Sequence, residues 1–275
     1  MGKISYIRQQ ERQGSVQAIH PHLGHVTLAG SGPGDAGQLT LAVARALASA
    51  DIVLHDRLVS AEVLALAGPQ ATLIETGKSG FGHALPQDEI NAMIIGFARE
   101  GRDVLRLKSG DPSIFGRLGE ELDQLDAAGI AYTILPGVTA ASAAAAAIGQ
   151  SLTRRGRNAD LRILTGHDVA GFAELDWHSL AQPGAVAAIY MGKRAARFLT
   201  GRLMMHSAHP ETPVTLVENA SRAEQRITGT TLAQLPDAVE GLDGPAVILF
   251  GLSPRASAAA LIHSPLPPLT KEATR

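Results

Sequence analysis

The 275-residue chain contains no cysteine. That excludes disulfides, thiolate metal sites and cysteine nucleophiles. Aromatic residues make up only 4% against a hydrophobic content of 45%. With abundant Ala, Gly and Leu, this is the composition of a soluble α/β protein, long enough for one large domain or two smaller ones. Long apolar runs are missing too. The most apolar stretch, 140–148, is about half the length needed to cross a bilayer. Residues 1–24 lack the apolar core of a secretory signal. A formal charge of −2 provides no net basic surface, which argues against nucleic acid as the main partner. No H-x-x-x-H or H-E-x-x-H spacing suggests zinc, and neither a G-x-S-x-G elbow nor a Walker lysine occurs. These absences predict a cytoplasmic protein that needs no metal.

What the chain does have is a pair of glycine-and-aspartate loops, each directly after a short apolar run. Val26–Ala29 leads into Gly30-Ser31-Gly32-Pro33-Gly34-Asp35, and Val104–Leu107 leads into Lys108-Ser109-Gly110-Asp111-Pro112. Both read as strand, tight loop and helix start, the arrangement that places a ligand beyond the carboxyl ends of an open α/β sheet. The first loop nearly fits a dinucleotide fingerprint. Its third glycine, however, comes one residue early at Gly34, Pro33 lacks an N–H, and Asp35 would repel a phosphate. Such a loop suits a nucleoside or a neutral or cationic ligand better than a pyrophosphate, and this disfavours a dehydrogenase.

Periodicity predicts strands at 26–29, 52–55, 72–76, 104–107 and 132–135, with helices near 39–49, 60–67, 87–100 and 116–128. Pro136-Gly137 ends this series, and Thr139 is placed to cap an alanine-rich helix running to about 148. A second α/β series follows, with strands near 161–165, 186–190, 213–218, 226–230 and 246–250. Its helices fall near 193–206 and 231–239. The expected organisation is an N-terminal extension (1–24), an α/β domain (25–138), a second α/β domain (139–256) and a flexible tail (257–275).

Several residues carry both a plain and a functional reading. Asp56 ends a strand candidate and is either a turn or cap residue or a group facing a ligand. Lys78 is either an exposed loop lysine or part of the same crevice. Asp111 and Pro112 would start a helix, compatible with a carboxylate that accepts from a ribose or an amino group. Arg117 and Glu121, four apart, would form a surface ion pair. Arg154-Arg155-Gly156-Arg157 is the densest positive cluster, a solvated loop or an anion trap. Of the 24 basic residues nineteen are Arg and five Lys, and Arg grips carboxylates bidentately. High-GC codon usage would produce the same excess.

In combination these blocks resemble the tetrapyrrole methylase family, and within it the uroporphyrinogen-III C-methyltransferases. The resemblance spans about residues 25–255. G-x-G-P-G-D followed by L-T-x-x-A matches 30–44, and D-R-L-V-S matches 56–60. G-K matches 77–78, and H-x-x-P-Q-x-E-I-N matches 83–91. The long segment around G-D-P-x-x-F-G-R matches 106–121, P-G-x-T-A matches 136–140, and L-T-x-R-G matches 152–156. T-G-H matches 165–167, Y-M-G matches 190–192, and P-x-x-x-V-E-N-A matches 213–220.

The resemblance implies two α/β domains of the tetrapyrrole methylase type with the active site in the cleft between them. It also implies a homodimer that moves a methyl group from S-adenosylmethionine to C2 and then C7 of uroporphyrinogen III. Carried over by position, the donor site is Pro33, Ser109, Gly110, Asp111, Ile114, Thr139, Ala140, Met191 and Ala220. Asp56 is implied as proton acceptor and Lys78 as proton donor, unless both mainly orient the substrate. Arg117, Glu120, Arg155 and Met191 match positions that handle the tetrapyrrole. Ser109, Leu118 and Arg154 depart from the family's residues. Some relatives carry a dehydrogenase–ferrochelatase module, for which the 24-residue leader is expected to be too short. A later corrin-pathway methylase and a non-catalytic nucleoside-binding regulator are the alternatives. The retention of Asp56, Lys78, Arg117 and Arg155 speaks against the regulator.

Overall fold

The computed structural model describes residues 23–77 and 85–256. Lys78 and His83 lie outside the described residues, as do the extension before 23 and the tail after 256. The first half alternates strand and helix. Its strands are β1 (Val26–Gly30), β2 (Ile52–His55), β3 (Thr72–Glu75), β4 (Val104–Lys108) and β5 (Tyr132–Leu135), and its helices are α1 (Leu41–Ser49), α2 (Ala61–Leu64), α3 (Gln87–Arg99) and α4 (Leu118–Ala128). The strands form one fully parallel sheet in the order β3-β2-β4-β1-β5. Alternate residues of β4 supply its two faces. Leu105 and Leu107 pack with Val43 and Leu47 of α1 and Val63 of α2, while Val104 packs with Ile90 and Ile94 of α3 and Leu125 of α4. A parallel sheet covered on both faces reads as near-continuous apolar strands, as β1 and β2 largely do. Arg106 and Lys108 break that pattern on the α3/α4 face, yet both are buried.

In the second half, α5 (Ala140–Ala147) leads to β6 (Arg162–Thr165) and to a hairpin of two-residue strands, β7 (His167–Asp168) and β8 (Gly171–Phe172). After these come α6 (Trp177–Leu180), β9 (Ala187–Tyr190), α7 (Ala196–Met205), β10 (Pro213–Glu218), β11 (Arg226–Thr231), α8 (Leu235–Ala238) and β12 (Ala246–Phe250). Its sheet, β11-β10-β12-β9-β6, is mixed: only β6 and β9 run parallel. Trp177, Leu199, Leu203 and Leu235 cover one face. The alanines of α5 cover the other, small enough to let the helix sit close against Ala188, Val217 and Leu249. No described helix is long and apolar enough to cross a membrane.

Some local expectations are corrected. Asp111-Pro112 opens a turn, not a helix, and α4 begins only at Leu118. Thr139 makes no side-chain cap bond. The Tyr190 phenol takes the Ala141 N–H at 2.8 Å and so satisfies the first turn of α5 in its place.

Candidate active site

Both glycine loops meet at the carboxyl ends of adjacent strands β1 and β4. Gly32 and Gly110 exchange backbone hydrogen bonds of 3.1 and 2.8 Å. Gly30, Gly110 and Gly137 approach so closely that a Cβ on Gly30 or Gly137 would overlap the Gly110 carbonyl oxygen. Gly110 itself has φ +70°, and a Cβ built there would meet nothing within 4 Å. Its backbone therefore faces open space, which is the geometry of a close-approach ligand cradle. Asp35 caps a short 3₁₀ turn by accepting from Gly37 N–H at 2.7 Å.

Asp111 is locked by its neighbours. Its Oδ1 accepts from the Ser113 hydroxyl and, at 2.9 Å, from the Ser113 N–H, while Oδ2 accepts from Gly137 N–H at 3.0 Å. Partial burial works against the charge, but these hydrogen bonds outweigh it and hold the carboxyl below its ordinary value. Tyr190 Oη lies 2.5 Å from Thr139 Oγ1, and the ring packs 5.4 Å from Phe115. Burial pushes the phenol up against the lowering effect of its hydrogen bonds, so it stays neutral.

These groups border one cavity of about 800 Å³ between the two halves. Pro33, Asp56, Ser109, Gly110, Asp111 and Ile114 line it from the first half; Thr139, Ala140, Met191 and Ala220 line it from the second. Three non-glycine residues of the wall have unusual backbone. Phe115 (φ 51°), Met191 (φ 54°) and Asn219 (φ 50°) line the cavity in left-handed conformation, and Arg117 (φ 56°) and Ser221 (φ 62°) stand beside lining residues. His167 faces Met191, with Nδ1 3.1 Å from its carbonyl oxygen.

Beneath Asp56 runs a buried chain of charges. Arg106 donates from Nη2 to Asp56 Oδ1 at 2.5 Å, from Nη1 to the Leu54 carbonyl at 3.3 Å, and from Nε to Glu121 Oε1 at 2.9 Å. Lys108 Nζ donates to the same Oε1 at 2.7 Å, and Gln87 Nε2 reaches it at 3.2 Å. Burial opposes the Arg106 charge, but Asp56 and Glu121 beside it hold its pKa above the ordinary value. For Lys108 burial prevails, reinforced by Arg106, and the ammonium is pushed down.

The expected Arg117–Glu121 surface pair is not formed. Glu121 is fully buried beneath β4, and Arg117 instead pairs with Glu120 through Nε and Nη2 at 2.7 and 2.6 Å. Arg117 and Glu120 do not line the cavity, although Arg117 follows the lining residue Gly116. Arg155 is exposed on a separate shallow depression formed by 153–159. Other lining residues were not singled out from sequence: Arg57, Tyr190, Arg194, Asn219 and Arg222. The signal for most of them was their position inside or beside the matched blocks.

A family model described as Tetrapyrrole (Corrin/Porphyrin) Methylases matches residues 25–236. The chain belongs to the tetrapyrrole methylase family. Among relatives of this tetrapyrrole methylase, a siroheme synthase from Edwardsiella ictaluri is 44% identical over 243 residues, covering 88% of this chain and 52% of that protein. The chain spans about half the length of such relatives. The native form of uroporphyrin III C-methyl transferase from Thermus thermophilus superposes with a TM-score of 0.72 at 31% identity, covering 86% of this chain and 100% of the other. A structure of the Thermus thermophilus enzyme complexed with S-adenyl homocysteine gives 0.70 at 32% identity, covering 83% and 92%.

Proposed function

We propose that this tetrapyrrole methylase uses S-adenosylmethionine to methylate uroporphyrinogen III at C2 and C7, giving precorrin-2 by way of precorrin-1. The observation that carries the reading is the convergence of matched donor residues from both halves on one cavity, around the outward-facing Gly110 backbone. The fit is chemical as well as spatial. A phosphate cradle is missing from the first loop, while the Asp111 carboxylate is held ionised nearby, as suits a cationic donor. Likeness to a transferase solved with S-adenyl homocysteine supports the same ligand.

S-adenosylmethionine, when bound, supplies an electrophilic methyl on a sulfonium. This chain's part is to align the pyrrole carbon with that methyl, exclude water and receive a proton. Asp56 is the proposed acceptor. Arg106 fixes one of its oxygens, and the other has no partner among the described residues. Lys78 is the proposed donor. Arg117 with Glu120, next to the lining residue Gly116, is proposed to handle the tetrapyrrole, and Arg155 to guide the anionic substrate from outside. We read the chain as two domains, 25–138 and 139–256, a division that the packing of α5 on the second sheet supports. We also infer a homodimer, and a product that feeds siroheme, cobalamin or haem d1 synthesis.

The decisive experiment is incubation with uroporphyrinogen III and S-adenosylmethionine under reducing conditions, with methyl groups counted by mass spectrometry. Two additions per macrocycle are expected. A product with none, or methylation only of a later corrin intermediate, would overturn the reading.

A further inference from the structure

Three guanidinium groups line the cleft. Arg57 follows Asp56 in the first half, Arg194 stands three residues after Met191 in the second, and Arg222 lies in the left-handed segment after β10. Arg57 and Arg194 are exposed and have no hydrogen-bond or ion-pair partner among the described residues. Arg222 donates through Nη2 to the Leu58 carbonyl, across the cleft, and its stem packs where a Cβ on Gly34 would come within 2.5 Å of Cγ. Its other two guanidinium nitrogens have no partner among the described residues.

The remaining charges of the cavity wall are engaged. Asp56 is held by Arg106 and Asp111 by Ser113 and Gly137. Lys193 donates to the carbonyls of Leu242 and Gly244. None of the three arginines is bonded to a carboxylate among the described residues, and with Lys193 they outnumber Asp56 and Asp111 on the wall, which leaves the cleft a positive potential. An anion entering the cleft meets it at short range. Arg117, by contrast, already has two nitrogens on Glu120.

We propose that Arg57, Arg194 and Arg222 form a three-point arc that grips the peripheral carboxylates of a polycarboxylate macrocycle and orients it over the donor. This rests on the reading above that the substrate is such a tetrapyrrole. Arg57 and Arg222 come from opposite halves and meet through Leu58, so a carboxylate held by both draws the halves together. Guanidinium forks match carboxylates bidentately, and each grip weakens with salt. The arc favours the macrocycle with more side-chain carboxylates, because more of its orientations place a carboxylate on all three forks at once.

The test titrates the full chain with uroporphyrin III, a fluorescent and unreactive octacarboxylate, and with coproporphyrin III, which carries half as many carboxylates. S-adenosylhomocysteine binding is followed by calorimetry, and methylation of uroporphyrinogen III runs in parallel. Arg57→Gln and Arg194→Gln should each weaken uroporphyrin binding by about tenfold or more. Both should bring the uroporphyrin-to-coproporphyrin preference toward one, flatten the salt dependence and raise KM for uroporphyrinogen III. S-adenosylhomocysteine affinity should hold within about twofold. Arg197→Gln, at an exposed pair with Glu240, is the control and should change none of these. Arg222→Lys should keep part of the affinity and lose part of the preference, because a point charge replaces a fork. If Arg57→Gln and Arg194→Gln bind uroporphyrin like the wild type, or if the whole loss appears instead in Arg117→Gln and Arg155→Gln, the arc is wrong. A wild type that neither methylates uroporphyrinogen III nor binds uroporphyrin would sink the functional reading itself.

Discussion

Glu121→Gln is the sharpest probe of the buried charges under Asp56. The glutamate side chain is 0% exposed, and those of Arg106 and Lys108 are 3% and 4% exposed. One oxygen serves Arg106, Lys108 and Gln87 together, while Oε2 has no partner among the described residues. Replacing the carboxylate by an amide keeps the volume but leaves two buried cations facing a single anion, Asp56. Removing one partner of a buried pair costs about 3–5 kcal/mol, which in a chain of this size lowers Tm by roughly 6–20 °C. Adding Lys108→Met restores the charge count, so the double variant should recover much of that loss and the mutant cycle should be strongly non-additive. There is also a pH signature. Burial, with Arg106 behind it, already lowers the Lys108 pKa from 10.5, and Glu121 opposes that shift. Without Glu121 the folded value falls further. Between that value and 10.5 the unfolded chain then binds more protons than the folded one, so stability rises with pH. The deficit of Glu121→Gln should therefore narrow as pH climbs from neutrality toward 10.5. Urea denaturation across pH measures all three effects. A single-variant loss under about 1 kcal/mol, or an additive cycle, would refute the reasoning.

Asp56→Ala should lower turnover by about a hundredfold or more if the carboxylate takes the ring proton, with S-adenosylhomocysteine affinity nearly unchanged; near-normal turnover at saturating substrate would reassign the proton. Gly110→Ala places a methyl group in the cavity at φ +70°, so calorimetry should show loss of S-adenosylhomocysteine binding together with a strain penalty of about 1–2 kcal/mol. Light scattering should give twice the 28.6 kDa chain mass; a fully active species at the single-chain mass would exclude the dimer.

Much of the fold was legible because its strands are short apolar runs separated by turn residues. β1, β2, β4, β5, β10 and β12 lie within a residue or two of where periodicity puts them. The β7–β8 hairpin and α6 were not legible: elements of two to four residues carry too few side chains to show a period. The donor loops could be read because Gly30 and Gly110 sit at positions where backbone contact forbids or exposes a Cβ, a constraint that leaves its mark in the residue type. The charge network could not. Arg106 and Lys108 look like breaks in an apolar strand, and Glu121 looks like half of a helix-surface pair. Only the packing of α3 and α4 over β4 turns all three inward. Likewise, nothing in the sequence separates Arg57 and Arg194, which line the cavity, from Arg117 and Arg155, which do not.

The left-handed residues around the cavity have a consequence for how this protein responds to selection. Phe115, Met191 and the Asn219–Ser221 turn come from three separate segments, and the left-handed conformation they hold costs a residue other than Gly or Asn about 1–2 kcal/mol. A search for heat-resistant variants would keep finding Gly or Asn in place of Phe115, Met191 and Ser221. Each such change would relax the chain and blur the shape of the pocket wall. Thermal tolerance and turnover would then pull against each other in the few segments that meet at the cleft. The outer helices, α3 and α7 among them, could be hardened without that conflict.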